Sequence, residues 1–359
     1  MKKLAQLLTI IIWAIFFYLL ITIIDLKKIV NFEQRKLITP IITYVIGVKL
    51  DDEQKAFIQK VNPFGVLLDA NNIKSKEQVK SLITELKLLF PERKLYIAID
   101  QEGGQVDRLK KIIAPDQLLK EAKYYGNKAA YNIAEARSEL YKDSISTAKM
   151  LAELGFDINF APMVDLTFYQ DTQNVKQSWA ATEARSYSSE IHIVVELATI
   201  FIKAMHAENI ITVIKHMPGL GRAYEDSHND KAIINANYTD LLQKDFVVFK
   251  DLVHIAKMAM VGHGTYSAID SKPATFSSKI INDVIRSEIK FKGLLIADAL
   301  NMEAVSDYKL EDRVTKSLEA GIDIVIPNYI SRRATVKVVE TINKAELIKF
   351  NQKLKLLGY

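Results

Sequence analysis

Four short apolar runs of the chain end in residues that can carry charge or move protons. Leu95–Ile99 is followed by Asp100-Gln101-Glu102-Gly103-Gly104-Gln105-Val106-Asp107-Arg108. Ile210–Ile214 is followed by Lys215-His216-Met217-Pro218-Gly219, Met258–Val261 is closely followed by His263, and Gly293–Ala297 leads directly into Asp298. A single aspartate at a strand end is commonly a turn or capping residue. Four such ends in one chain point instead to a shared site. Carboxylates there can attack as nucleophiles, transfer protons or accept hydrogen bonds from hydroxyls, while Arg and Lys donate. His216, His228 and His263 beside an aspartate are also a set that can ligate a metal. The H-x-H pair usual after the first strand of metal-dependent barrel hydrolases does not occur.

These groups need elements that bring them to one place. Eight apolar runs of four to eight residues recur along the chain: Ile41–Val48, Gly65–Leu68, Leu95–Ile99, Phe156–Phe160, Ile210–Ile214, Met258–Val261, Gly293–Ala297 and Gly321–Ile326. Most are rich in β-branched residues, as strands buried on both faces should be. Between them lie helical patterns, among them Lys76–Leu89, Ser144–Leu154, Ser188–Glu208, Asp240–His254, Ser278–Lys290 and Glu311–Ala320, and Val336–Leu356 closes the chain as helix. Strand and helix alternating in this way predict an α/β fold, a (β/α)8 TIM-type barrel forming one catalytic domain. The long gap between the third and fourth runs requires an insertion or extra helices. In such a barrel the catalytic groups sit just past the C-terminal ends of the strands, where the four polar segments fall.

A length of 359 residues suits one such barrel, and 49% hydrophobic with 25% charged residues excludes a disordered chain or a fibre. The absence of cysteine removes disulfides, thiolate metal sites and cysteine nucleophiles. Of the formal net charge of +5, residues 1–28 supply +3, leaving no charge argument for nucleic-acid binding. Leu4–Ile24 carries no charge and would span about 31 Å as a helix, enough to cross a bilayer core. It lacks the small-residue cleavage site of a signal peptide. The expectation is therefore a transmembrane anchor over residues 1–28 ahead of a barrel domain over 29–359. The barrel would be held at the inner membrane, with the catalytic domain on its outer, periplasmic face.

The motifs, in order, resemble family 3 glycoside hydrolases, in particular the bacterial β-N-acetylglucosaminidase (β-hexosaminidase) branch. Residues 100–108 match D-x-E-G-G-x-V-x-R. Asn159-Phe160-Ala161-Pro162-Met163-Val164-Asp165 matches N-x-A-P-x-x-D. Lys215-His216-Met217-Pro218-Gly219 followed by Asp226-Ser227-His228 matches K-H-F-P-G…D-S-H, and Ala297-Asp298-Ala299-Leu300-Asn301-Met302 matches the segment of the family nucleophile. The resemblance implies a retaining exo-glycosidase that removes terminal β-linked N-acetylglucosamine, from peptidoglycan fragments, with no metal and no cofactor. It makes Asp298 the nucleophile and His228 the acid/base, with Asp226 two residues earlier able to orient the imidazole and favour its charged form. It makes Asp100, Arg108, Arg185, Lys215 and His216 substrate-binding residues, and places His263 behind the site.

The chain departs from the family at Leu220, where a second histidine is usual, at Met217 in place of an aromatic, and at Ser188-Ser189-Glu190 after Arg185. A β-glucosidase-like enzyme acting on another β-sugar, and a membrane-tethered glycan-binding protein with an impaired site, fit the same residues. Turnover of a β-N-acetylglucosaminide separates these readings.

Overall fold

Seven strands form one curled parallel sheet in the order β1 (Thr39–Tyr44), β2 (Pro63–Leu68), β3 (Tyr96–Ile99), β4 (Ile158–Asn159), β5 (Ile211–Met217), β7 (Met258–Val261) and β9 (Leu294–Ala297). Two further two-residue strands, β6 (Ile233–Ile234) and β8 (Thr265–Tyr266), pair with each other outside it. Nearly every residue of the large sheet is buried, because helices cover the outer face and side chains fill the inner one. This explains why the strands read as continuous apolar runs rather than as alternating patterns.

The computed structural model describes residues 37–168, 184–227, 230–327 and 332–359, together with Trp13. Pro40–Ile342 forms one compact unit. A second contains Asn343–Tyr359, whose helix Lys344–Leu357 is capped reciprocally by Asn343 and Glu346.

The expected eight-stranded barrel is corrected in one place. Gly321–Ile326 does not form a full strand. It contributes two parallel bridges, Ile41↔Val325 and Ile296↔Ile324, that join the first and last strands of the sheet. The segment is short because Gly321 ends the preceding helix at a φ of +107° and Pro327, with no N–H, cannot extend the ladder. The expected transmembrane helix is also corrected. Among the described residues no helix is long and apolar enough to cross a membrane, and Leu4–Ile24 lies, apart from Trp13, outside them. The most apolar described helix, Ile191–Ala207, has 17 residues and carries Glu196 and Lys203. At about 25 Å it is short of a bilayer core.

The long gap after β3 is filled by helices Ala122–Tyr131 and Ile133–Leu154. The helix at Lys76–Leu88 starts on Ser75, whose side chain accepts from the Gln78 N–H, and it buries Val79, Leu82, Ile83 and Leu86 at helical spacing. The helix expected over Asp240–His254 runs in three consecutive pieces, Tyr238–Asp240, Leu241–Asp245 and Phe246–Leu252, of which the second is a π-type turn that places Asp245 inward.

Candidate active site

The strand ends meet around a cleft of about 500 Å³ lined by Asp69, Asp100, Arg108, Arg185, Lys215, His216 and Asp298 among others. Asp100 follows β3 directly. The chain then turns back on itself through Gly103 and Gly104, both at positive φ (+93° and +58°). A Cβ on Gly103 would lie 2.6 Å from the Lys120 carbonyl oxygen, so only glycine allows the close approach of that backbone. The Asn159 side-chain amide locks the turn to β4: its Oδ1 accepts the Gln101 N–H and its Nδ2 donates to the Gln101 carbonyl, each at 2.9 Å. Gln101 Oε1 also accepts the Arg108 N–H at 2.9 Å, which brings Arg108 back over Asp100. Arg108 Nη2 lies 3.3 Å from Asp100 Oδ2.

Lys215 and His216 are consecutive in β5 and should point to opposite faces of the sheet. They both line the cleft because the register with β7 slips between Lys215↔Met260 and Met217↔Val261. This bulge inserts His216 as an extra residue and re-aims its side chain. Lys215 Nζ bonds Asp100 Oδ1 at 2.7 Å and Glu102 Oε1 at 2.5 Å. Glu102 in turn holds Arg185 in a fork, Nε to Oε2 at 2.9 Å and Nη2 to Oε1 at 2.7 Å. Burial would push the Glu102 carboxyl up, but Arg185 and Lys215 outweigh it and hold the group well below the ordinary carboxylate range. Burial would likewise lower Lys215, and Asp100 and Glu102 reverse that, so the ammonium is held above its usual value.

His216 is fixed from behind. Asp165 Oδ2 accepts its Nδ1–H at 2.7 Å and its backbone N–H at 3.1 Å, while Oδ1 accepts the Leu220 N–H at 2.6 Å. The other ring nitrogen, Nε2, then faces Asp298 Oδ2 at 3.7 Å. Asp298 leaves β9 with its N–H bonded to the Val261 carbonyl at 3.0 Å and its Oδ1 accepting the Ala299 N–H at 2.7 Å. His263 does not line the cleft. Its Nε2 donates to the Ala299 carbonyl at 3.0 Å and its Nδ1 contacts Thr275 Oγ1 at 2.8 Å, bracing the chain beside Asp298.

Of the residues singled out from the sequence, Asp100, Arg108, Arg185, Lys215, His216 and Asp298 therefore share one cleft. Asp226 is half-buried on the loop after β5 and is not among the residues lining it, and His228 lies outside the described residues. Glu102 and Asp165 have no local signal beyond their places in the 100–108 and 159–165 motifs. Their roles, gripping two buried cations and holding His216, follow from contacts across 83 and 51 residues of sequence. Asp69, on the cleft rim after β2, has no motif that marks it. Among the described residues no group of three or more His, Asp or Glu side chains is arranged to hold a metal ion.

The profile of the glycosyl hydrolase family 3 N terminal domain matches residues 2–354. The chain is 30% identical to a beta-hexosaminidase of Psychromonas ingrahamii over 80% of its own length and 82% of the relative's. It is 28% identical to beta-hexosaminidase A of Pseudoalteromonas piscicida, of which it spans half the length. Among solved structures it is similar to NagZ from Neisseria gonorrhoeae in complex with N-trifluoroacetyl-D-glucosamine, with a TM-score of 0.75, 25% identity and coverage of 89% of this chain and 90% of that one.

Proposed function

The chain belongs to glycosyl hydrolase family 3, and we propose that it works as a retaining exo-β-N-acetylglucosaminidase on saccharide fragments of peptidoglycan. The observation that carries this reading is Asp298, seated at a strand end in a cleft whose other polar groups are a binding set for a sugar. Asp100 can accept from hydroxyls, and Arg108, Lys215 and His216 can donate to them. The neighbouring ion pairs keep those donors charged and fixed in place.

In the proposed reaction the Asp298 carboxylate attacks the anomeric carbon as the bond to the leaving oxygen breaks. His228, oriented by Asp226, gives that oxygen its proton. The resulting glycosyl ester on Asp298 is then opened by water, which the now neutral imidazole deprotonates, and the two inversions restore the β-configuration. Support for a histidine in this role is the Asp226-Ser227-His228 run together with similarity to beta-hexosaminidases.

Release of nitrophenol from its β-N-acetylglucosaminide tests the activity, and Asp298→Ala tests the nucleophile. The variant is expected to retain less than about a hundredth of the wild-type rate, since it loses covalent catalysis. A higher residual rate sinks the assignment of Asp298.

A further inference from the structure

We propose that Arg222 and Asp245 are positioning residues for the proton-transfer step: their buried ion pair fixes the base of the loop that carries Asp226. The proposal rests on the reading of Asp226 and His228 as the acid/base pair.

After β5 the chain must turn sharply out of the barrel before it reaches Asp226, and the turn is held from three sides. Leu220 donates its N–H to Asp165 Oδ1 at 2.6 Å, and the Gly219 carbonyl accepts from the Tyr266 hydroxyl at 2.9 Å. Arg222 Nε donates to Asp245 Oδ2 at 2.7 Å. The turn lies directly on Asp245, since a Cβ added to Gly219 would sit 2.8 Å from the Asp245 Cβ. The Arg222 guanidinium also covers the Phe168 ring at 4.1 Å. Farther along, the Ser227 carbonyl accepts the Ala304 N–H at 3.2 Å, which ties the loop to the segment following Asp298. Only Ala223, Tyr224, Glu225 and Asp226 separate these two attachments.

Neither Arg222 nor Asp245 lines the cleft. The Asp245 side chain is 1% exposed and that of Arg222 is 18% exposed. A pair so placed does not touch substrate and acts through the four residues it restrains. Removing one partner leaves the other charge largely buried without its mate, and the cheapest response is for Arg222 to swing out and carry the turn with it. The groups that bind the sugar, Asp100, Lys215 and His216, are held by Glu102 and Asp165 instead. The loss should therefore fall on proton delivery rather than on sugar binding.

The test compares Arg222→Met, Asp245→Asn and the double variant with wild type and with Asp226→Asn, using aryl β-N-acetylglucosaminides with poor and good leaving groups. For each single variant kcat/KM should fall about ten- to hundredfold with the poor leaving group. That is part of the roughly 10²–10⁴ contributed by a positioned proton donor. With the good leaving group the fall should be under about threefold, and the double variant should lose no more than the worse single one. Arg222→Lys, which keeps charge and bulk, should show the same bias to a smaller extent and covers the case in which Arg222→Met does not fold. If Asp226→Asn shifts the ratio between the substrates but the Arg222 and Asp245 variants leave it at the wild-type value, the positioning role is refuted alone. If Asp226→Asn leaves the ratio unmoved, the acid/base reading falls and the positioning role with it.

Discussion

Replacing Glu102 by Gln removes a carboxylate that two buried cations grip together. The Glu102, Lys215 and Arg185 side chains are 7%, 2% and 8% exposed, so none can turn to water for compensation. Lys215 keeps Asp100 at 2.7 Å. Arg185 loses its two-pronged carboxylate partner and is left facing an amide with a single acceptor oxygen. Breaking a buried pair typically costs about 3–5 kcal/mol. The remaining amide oxygen sets the expectation at the lower end, about 3 kcal/mol. For a unit of about 300 residues, whose unfolding entropy is about 0.6 kcal/mol/K, that corresponds to a Tm lower by about 5 °C. Calorimetry at neutral pH reads the shift. The sign with pH follows from the depressed Glu102 carboxyl. Its contribution is full above the unfolded value of about 4.3 and is lost only as pH falls toward the lower folded value. The gap between wild type and Glu102→Gln should hold from pH 7 to 5 and narrow below about pH 4. A Tm change within about 1 °C, or a gap that widens on acidification, would refute the account of the network.

Gly126→Ala should unfold at much lower urea or fail to fold, because its Cβ would meet the Tyr187 carbonyl oxygen at 1.6 Å; an unchanged midpoint would show that the helix and the segment at Tyr187 are not packed so closely. Burial raises the Asp245 carboxyl to about 6 against the pull of Arg222, with Asp165 adding to the rise and the un-ionised Tyr266 nearby. The stability this brings is full below about pH 4 and is lost as pH rises through 6, so wild type should gain about 2–3 kcal/mol on Asp245→Asn between pH 7 and 4; a flat difference in denaturant midpoints refutes it. His228→Ala should slow substrates with poor leaving groups far more than nitrophenyl ones, and equal losses for both would exclude it as the proton donor.

The strand ends that carry chemistry were legible because the barrel imposes a simple rule: a buried apolar run stops and a polar group follows. Asp100, Lys215, His216 and Asp298 all obey it, and the cleft contains them. What the sequence hides is side-chain pairing across distance. Nothing local tells Glu102 that it will lie between Arg185 and Lys215, or Asp165 that it will hold His216. Local signals also fail where elements are too short to show a period, as in β6 and β8. They fail again at Gly321–Ile326, whose apolar run matches a strand while its flanking Gly and Pro restrict it to bridges. The transmembrane expectation rests on the uncharged length of Leu4–Ile24 and its missing cleavage site, and among the described residues no helix is long and apolar enough to cross a membrane.

The closing segment has a mechanical consequence. A hoop of staves gives first where one stave is thin, and here the thin stave is Asp323–Ile326. The Asp323 carboxylate reinforces it by accepting the Leu295 N–H and an Arg286 Nη2–H, each at 2.8 Å. Its far end, the Ile326 carbonyl, holds the Leu300 N–H at 2.9 Å, two residues beyond Asp298. Thermal breathing of the hoop should therefore start at this seam and reach Asp298 before it reaches the lysine–histidine side of the cleft. Asp298, the proposed nucleophile, adjoins the seam closed by isolated bridges, whereas Lys215 and His216 lie in β5, which is paired with both of its neighbours.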